Sequence, residues 1–285
     1  MTTASVDAAE IRAQQKVIWD GVSAAWERWQ PAFERGASIV TERLLDIAGV
    51  APGDSVLDIG SGTGQPALSA ARVVGPDGTV LGIDLSPLMV EAARRASVGL
   101  GNVHFVVGSA EMQLLQAYSF DAVLSRWALM FAADRVELLR KAAQLLRPGG
   151  LLAAAVWSEP QNVPMISLAF QIISSELALP PPPPGPGPFA MSNADEIMAD
   201  FEGAGFSGVE VSELVVPFRL ASVDEFGRFS FDVLPPRMKQ LLQDRYGSLF
   251  DHDLWGGFVA AAGQYREANG TVYLPSTCLC VRAVA

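Results

Sequence analysis

Residues 55–64 read Ser-Val-Leu-Asp-Ile-Gly-Ser-Gly-Thr-Gly. The first half is an apolar run with branched side chains, which is typical of a buried strand. Three alternating glycines follow, and after Pro66 the apolar residues from 67 to 74 recur at helical spacing. Because proline suits the first turn of a helix, this stretch predicts a strand, a glycine turn and a helix.

The glycine turn is suited to hold a polar ligand at the end of that strand. Glycine tolerates positive φ and leaves room against the backbone, and a helix start adds free N–H groups and partial positive charge. The dinucleotide fingerprint needs glycine at the sixth position counted from Gly60, where this chain has Gln65. Asp58 suits a ligand with an amino group better than one with a pyrophosphate. A glycine turn without a ligand is the alternative.

The composition bounds the class of protein. A chain of 285 residues, half of them hydrophobic, can form one large domain or a domain with a cap. The net charge of −11 argues against binding to a nucleic-acid backbone. No run reaches the ~18 apolar residues of a membrane span. The first ten residues lack the pattern of a signal peptide, so we expect a soluble, cytoplasmic protein.

The two cysteines, Cys278 and Cys280, share one face of a predicted strand and are expected to be buried thiols. With only two histidines, far apart, they form no zinc motif, and we expect no metal site.

Strands alternate with helices along the first half of the chain, which predicts a parallel sheet covered on both faces. Ligands of such sheets bind at the carboxyl ends of the strands. The residues expected at those ends are Gly60, Asp84, Ser109, Arg126 and Trp157. Asp84 can accept both hydroxyls of a ribose, a feature of nicotinamide dinucleotide (NAD) folds as well; a helix-terminal carboxylate is the alternative. The residues Leu85 and Met89 are placed to press on an adenine ring.

The chain is predicted to have four parts. One helix is expected over 7–30 and a second over 37–49, and the proline-rich stretch is expected to be a loop rather than a signalling ligand. The parts are an N-terminal helical lid (1–36), a ligand-binding core (37–157), a proline-rich cap insertion (158–192), and a C-terminal part (193–285) that completes the sheet, with a helical cap segment at about 222–266.

Three motifs resemble those of one family. They are Val-Leu-Asp-Ile-Gly-Ser-Gly-Thr-Gly-Gln-Pro-Ala at 56–67, Gly-Ser-Ala-Glu at 108–111 and Leu-Leu-Arg-Pro-Gly-Gly at 145–150. Over roughly residues 40–157 the chain resembles the class I S-adenosylmethionine (SAM) dependent methyltransferases of the ubiquinone/menaquinone-biosynthesis (methyltransferase type 11) family. The resemblance implies a Rossmann-like α/β fold with a seven-stranded, mostly parallel sheet, helices on both faces, an antiparallel last strand and a helical cap.

The resemblance also implies the roles of individual residues. Ser109 stands where the family usually has an Asp that touches the adenine amino group, so a serine oxygen would have to accept that bond. The residues expected to bind SAM are Asp58, Gly60, Ser61, Gly62, Gly64, Asp84, Leu85, Met89, Ser109, Ala110, Glu111, Ser125 and Arg126.

Four tryptophans, Trp19, Trp26, Trp127 and Trp157, are expected to face the methyl acceptor, with ordinary core packing as the alternative for the first two. A general base is optional for this chemistry. His252, between two acids, is the candidate for a catalytic residue, and His104 and Tyr246 are weaker ones.

The function expected from these features is transfer of a methyl group from SAM to an oxygen or carbon nucleophile, which leaves S-adenosylhomocysteine. The acceptor would be a small, largely apolar molecule, quinone-like or natural-product-like, and not a nucleic acid. Two alternatives stay open: a SAM-binding protein of the same fold with a regulatory or non-methyl-transfer role, and an NAD-dependent oxidoreductase. The sequence does not determine the oligomeric state.

Overall fold

The computed structural model of the chain is organised around one seven-stranded sheet. It describes residues 7–110, 115–181, 185–248 and 252–285, without the side chains of residues 252 and 253. The strands are β1 (Ser55–Ile59), β2 (Thr79–Asp84), β3 (Val103–Val107), β4 (Phe120–Arg126), β5 (Leu146–Trp157), β6 (Ser207–Leu220) and β7 (Val272–Val284).

The order of the strands across the sheet is β3-β2-β1-β4-β5-β7-β6. Strands β1 to β5 pair in parallel, and β7 pairs antiparallel with both β5 and β6. The predicted Rossmann-like sheet with an antiparallel last strand is therefore confirmed. Chain order reverses between β1 and β4, and such a reversal opens a crevice at the carboxyl ends of the strands.

Nine helices of the described chain surround the sheet, and apolar side chains fill the layers between them. Their bounds are α1 (Ala8–Ile47), α2 (Ala67–Val74), α3 (Pro87–Ala96), α4 (Arg135–Leu145), α5 (Pro164–Glu176), α6 (Ala194–Gly203), α7 (Val223–Asp232), α8 (Pro236–Tyr246) and α9 (His252–Gly263).

Helix α1 is one continuous helix of 40 residues, so the prediction of two helices over 7–30 and 37–49 is wrong. Pro31 lies inside it. A proline in a helix interior costs ~3 kcal/mol. The apolar stripe continues past it, because Phe33, Ala37 and Val40 are all buried against the core. Burial of that stripe offsets the proline, and the predicted boundary between residues 36 and 37 falls inside a single helix.

The thiols of Cys278 and Cys280 are free and buried, as predicted, with their sulfur atoms 3.9 Å apart. Among the described residues, we find no helix whose length and apolar character would let it traverse a bilayer.

Candidate cofactor and acceptor site

A cavity of about 300 Å³ lies at the carboxyl ends of the central strands, under helix α1. Its lining includes all five of the residues predicted to converge there: Gly60, Asp84, Ser109, Arg126 and Trp157. The strands that carry them are adjacent in the sheet, so residues far apart in the chain share one crevice. The sheet topology therefore accounts for the position of the site.

Gly60 and Gly62 of the turn are glycine for different physical reasons. Gly60 has a φ of +74°, and a Cβ added there would come within 2.2 Å of the Ala128 Cβ, so the turn packs directly on the segment after β4. Gly62 has a φ of +50°, but a Cβ there would meet nothing within 4 Å. Since Gly62 lines the cavity, the open space beside it can take a ligand against the backbone.

Asp84 is fixed by two backbone N–H groups. Gly62 N donates to Oδ2 at 2.8 Å, and Ser86 N donates to Oδ1 at 2.9 Å. Burial is the main cause that raises the pKa of Asp84 to about 6; the two N–H groups lower the pKa, and the Asp20 carboxylate adds to the rise. Each carboxylate oxygen keeps a second lone pair, which can accept a hydroxyl.

Asp58 lies beneath the turn, fully buried and outside the cavity lining. Its Oδ2 accepts from Ala67 N at 3.1 Å, so the carboxylate ties the start of α2 to β1. Its Oδ1 has no hydrogen-bond partner among the described residues. Burial raises the pKa of Asp58 to about 7, against the Ala67 N–H and the Arg126 charge. A donor that approached this oxygen would relieve a buried, unsatisfied acceptor.

Some of the other predicted cofactor residues line the cavity, and others pack behind its lining. Ser125 donates to the Ile59 carbonyl at 2.9 Å, and a Cβ at Gly64 would meet Leu68, so both lie under the cavity. Glu111 lies outside the described residues. The predicted cofactor residues that line the cavity are Gly60, Ser61, Gly62, Asp84, Leu85, Met89, Ser109, Ala110 and Arg126.

The four predicted acceptor-facing tryptophans also line the cavity. The rings of Trp127 and Trp157 stack at 4.2 Å with 15° between their planes. Trp127 follows the end of β4 with a φ of +57°, and its backbone N–H donates to the Ala155 carbonyl at 2.7 Å. Such a backbone conformation is strained for a bulky residue, and strain of this kind is concentrated at functional sites.

Helix α1 supplies a further part of the cavity wall. Trp19, Trp26 and Phe33, which we call the aromatic row, follow one another at seven-residue spacing and all line the cavity. Trp19 meets Phe131 edge-on at 5.0 Å, and Phe33 meets Trp127 edge-on at 5.4 Å. Phe33 and Phe131 were missed from the sequence, although the seven-residue spacing of the row is visible there.

Arg126 lines the cavity, but its guanidinium bonds to α1. It donates to both Glu34 carboxylate oxygens and to Thr41 Oγ1 at 2.8 Å. Only 7% of the Arg126 side chain is exposed. A direct contact of Arg126 with the cofactor stays a prediction, and Glu34 is a residue that the sequence did not single out.

The candidates for a general base whose side chains the structure describes lie away from the cavity. His104 is exposed on β3, and the Tyr246 hydroxyl donates to Glu176 at 3.3 Å. Neither residue lines the cavity. His252 begins α9, and its side chain is outside the described part of the chain, so its catalytic role stays a prediction. Within the described ranges, no group of three or more His, Cys, Asp and Glu side chains could hold a metal ion.

Comparison with known proteins agrees with this geometry. A family model described as a methyltransferase domain matches residues 57–154. The aklanonic acid methyltransferase DauC of Streptomyces sp. (strain C5) is 30% identical over 206 residues, which cover 67% of this chain and 94% of DauC. The chain belongs to the class I SAM-dependent methyltransferases.

Two further similarities differ in how much of the relative they cover. The ubiquinone/menaquinone biosynthesis C-methyltransferase UbiE of Hahella chejuensis is 33% identical over 161 residues, or 55% of this chain, and the chain spans 64% of the length of that enzyme. A Haloferax volcanii methyltransferase, solved in complex with the activator Trm112, matches with a TM-score of 0.57 and 22% identity over 95% of this chain and 96% of the other. That likeness supports the fold of this methyltransferase.

The cofactor of the family is SAM, and the residues of this methyltransferase fit it. Asp84 offers free lone pairs to the ribose hydroxyls, and the open space at Gly62 can take the methionine part. The unpartnered Oδ1 of Asp58 lies beneath the same turn, outside the cavity lining. The apolar side chains of Leu85 and Met89 line the same cavity as Asp84, so they are available to an adenine ring.

Proposed function

We propose that this methyltransferase moves the methyl group of SAM to an oxygen or carbon nucleophile of a flat, largely apolar aromatic molecule. The observation that carries the proposal is the Trp127–Trp157 stack, which adjoins the glycine turn at the carboxyl edge of the sheet. Ala128, next to Trp127, packs on Gly60, so the stack lies beside the turn proposed to hold the methionine part.

The chemistry of the acceptor wall supports a planar aromatic acceptor. Stacked indole rings present a flat face, and offset or edge-to-face aromatic pairs gain about 0.5–1.5 kcal/mol beyond burial. The aromatic row on α1 adjoins that stack, because Phe33 meets Trp127 edge-on at 5.4 Å. Two relatives are named for ubiquinone/menaquinone biosynthesis (UbiE) and for methylation of aklanonic acid (DauC). The acceptor proposed here is of that general kind.

The protein would accelerate transfer mainly by alignment. When bound, SAM supplies a methyl group on a cationic sulfur. Asp84 and the glycine turn would hold one reactant while the aromatic walls orient the other, and such alignment can contribute up to about 7–11 kcal/mol. The Trp127 ring already stacks on Trp157 and has the Arg126 guanidinium carbon 5.1 Å from its centroid, so its contribution is to the shape of the acceptor wall. His252 is kept as the candidate base for an acceptor that must lose a proton.

The test is a methyl-transfer assay with labelled SAM and a panel of hydroxylated naphthoquinones, anthraquinones and benzoquinols. We expect label in an aromatic product, with S-adenosylhomocysteine formed in equal amount. Asp84→Ala serves as the matched inactive variant. Label recovered only in non-aromatic molecules would overturn the acceptor class, and SAM binding without methyl transfer to any small molecule would favour the regulatory alternative.

We propose that the activity takes place in the cytoplasm and on small molecules rather than nucleic acids.

A further inference from the structure

Helix α1 carries a second set of residues at seven-residue spacing beside the aromatic row. Asp20, Glu27 and Glu34, which we call the acidic row, each follow one member of the aromatic row in the chain. Seven residues make almost two helical turns, so each row runs along one side of the helix. One side of α1 therefore presents carboxylates while the adjacent side presents rings to the cavity.

Each member of the acidic row bonds to a different part of the methyltransferase core. Asp20 Oδ1 accepts from Ser86 Oγ at 2.6 Å. Glu27 accepts two bonds from Arg95, at 2.9 and 2.7 Å. Glu34 accepts from Arg126, as described above. Ser86 precedes α3 and Arg95 lies near its end, while Arg126 ends β4. The three ties fasten α1 across the crevice from β2 to β4.

The first tie reaches the cofactor-binding residues directly. Ser86 uses its hydroxyl to donate to Asp20 and its backbone N–H to donate to Asp84. The second Asp84 oxygen accepts from Gly62. Asp20 is therefore one residue removed from the carboxylate that would hold the ribose. Trp19, its neighbour on α1, lines the same cavity. A ligand held by Asp84 would lie under the N-terminal half of α1.

We propose that Asp20, Glu27 and Glu34 are positioning residues that latch α1 over the bound cofactor, and that the latch must open for S-adenosylhomocysteine to leave. The proposal rests on the SAM site of the proposed function. When the acidic row is bound, the aromatic row closes the acceptor side of the cavity over the reacting end. Weakening any one tie should speed release of the cofactor product.

The pair of Glu27 and Arg95 gives the sharpest test, because it is partly exposed, with 40% and 58% of the two side chains accessible, and its loss should not unfold the chain. The experiment measures S-adenosylhomocysteine release from the full chain by stopped-flow tryptophan fluorescence. Exposed ion pairs are weak, so we expect release to be about two- to fivefold faster in Glu27→Arg and in Arg95→Glu. The double variant Glu27→Arg/Arg95→Glu should restore the original rate.

Two more variants extend the test. Asp20→Ala removes the charged acceptor of the hydrogen bond from Ser86. We expect release of S-adenosylhomocysteine to be about tenfold faster. Glu42→Arg is the matched control, because it makes the same charge change on an exposed residue of α1 outside the acidic row. Its release rate should equal that of the wild type.

Equal release rates in wild type, Glu27→Arg and Arg95→Glu would overturn the latch, as would failure of the double variant to restore the rate. A wild-type chain that does not bind S-adenosylhomocysteine at all would instead overturn the cofactor site itself. The two failures are therefore distinguishable in one set of measurements.

Discussion

The two halves of the cavity are built in different ways. The cofactor half is made mostly of backbone and short side chains from the ends of β1, β2 and β3, within residues 59–110 of the chain. The acceptor half is made of large rings from α1, β4 and β5, which lie up to 138 positions apart, from Trp19 to Trp157. One half depends on local chain geometry, and the other on tertiary packing.

This difference has a physical reason. A nucleoside and an amino-acid tail are bound by backbone N–H groups and one carboxylate, and these need a fixed turn more than a fixed surface. A flat apolar acceptor is bound by surface shape, which side chains from several elements must create together. We therefore expect substitutions in the two halves to affect different measurements.

The largest expected effect separates two glycines of the same turn. Gly60→Ala places a Cβ 2.2 Å from Ala128 and strains a positive φ, so we expect a loss of about 2–5 kcal/mol in the free energy of unfolding. Gly62→Ala meets open space, so only the strain of roughly 1–2 kcal/mol applies, but the methyl group takes cofactor space.

Urea unfolding and SAM titration measure the two glycine effects. If Gly62→Ala bound SAM as tightly as the wild type, the space beside it would not be the cofactor site. Equal unfolding energies for the two variants would show that the packing of Gly60 on Ala128 is looser than described.

The second prediction concerns the ribose carboxylate. Asp84→Ala should weaken SAM binding at least about tenfold, because the loss of one hydrogen bond to a charged group costs about 1.5–3 kcal/mol. Isothermal titration calorimetry with SAM gives the affinity. Asp77→Ala, at an exposed carboxylate in the turn before β2, is the control and should bind normally. Unchanged affinity in Asp84→Ala would break the assignment of the ribose.

The third prediction concerns the acceptor half. Trp127→Ala and Trp26→Ala should lower kcat/KM for the acceptor by roughly two- to thirtyfold, because each removes an aromatic wall, while SAM affinity changes little. Trp29→Ala is the control on the same helix. Trp29 does not line the cavity, and its Nε1 donates to Asp232 at 2.8 Å. Normal turnover in both cavity variants would show that these rings serve only core packing.

The smallest expected effect is on pH dependence. Burial raises the pKa of Asp84 from 3.8 to about 6, so the ionised carboxylate that accepts ribose hydroxyls is depleted as pH falls. We expect S-adenosylhomocysteine affinity to fall about fourfold between pH 7 and pH 5.5. The stability of the free protein depends on pH in the opposite direction. Because the pKa of Asp84 is raised on folding, this group stabilises the free protein below pH 3.8, and that stabilisation is lost as pH rises through about 6.

Calorimetric titration at the two pH values, repeated with Asp84→Asn, checks this pH effect. The variant cannot ionise at position 84, so its affinity should vary less with pH. A pH dependence equal to that of the wild type would assign the effect to another group.

The cofactor half was largely predictable from sequence. The alternating glycines, Asp58 and Asp84 stand at fixed distances from their strands, and the parallel alternation of strands and helices brings strand ends together. Gln65 at the sixth turn position weighed against an NAD site, and the family assignment supports that interpretation.

The acceptor half was predictable only in part. Aromatic residues indicated a wall, and the four tryptophans predicted for it line the cavity, but Phe33 and Phe131 were missed. The break expected between residues 30 and 37 also concealed that Phe33 and Glu34 continue the two rows of α1. Pro31 lies within this expected break, and burial of the helix face keeps α1 continuous through it.

The sequence by itself determined the sheet, the glycine turn and the position of the carboxylate proposed to hold a ribose, because those depend on spacing within single strand–turn–helix units. The tertiary structure alone decided which tryptophans stack, that Arg126 bonds to Glu34, and that three carboxylates tie α1 across the crevice. These contacts join residues 66 to 92 positions apart or bring separate strands together, so they exist only once the chain has folded.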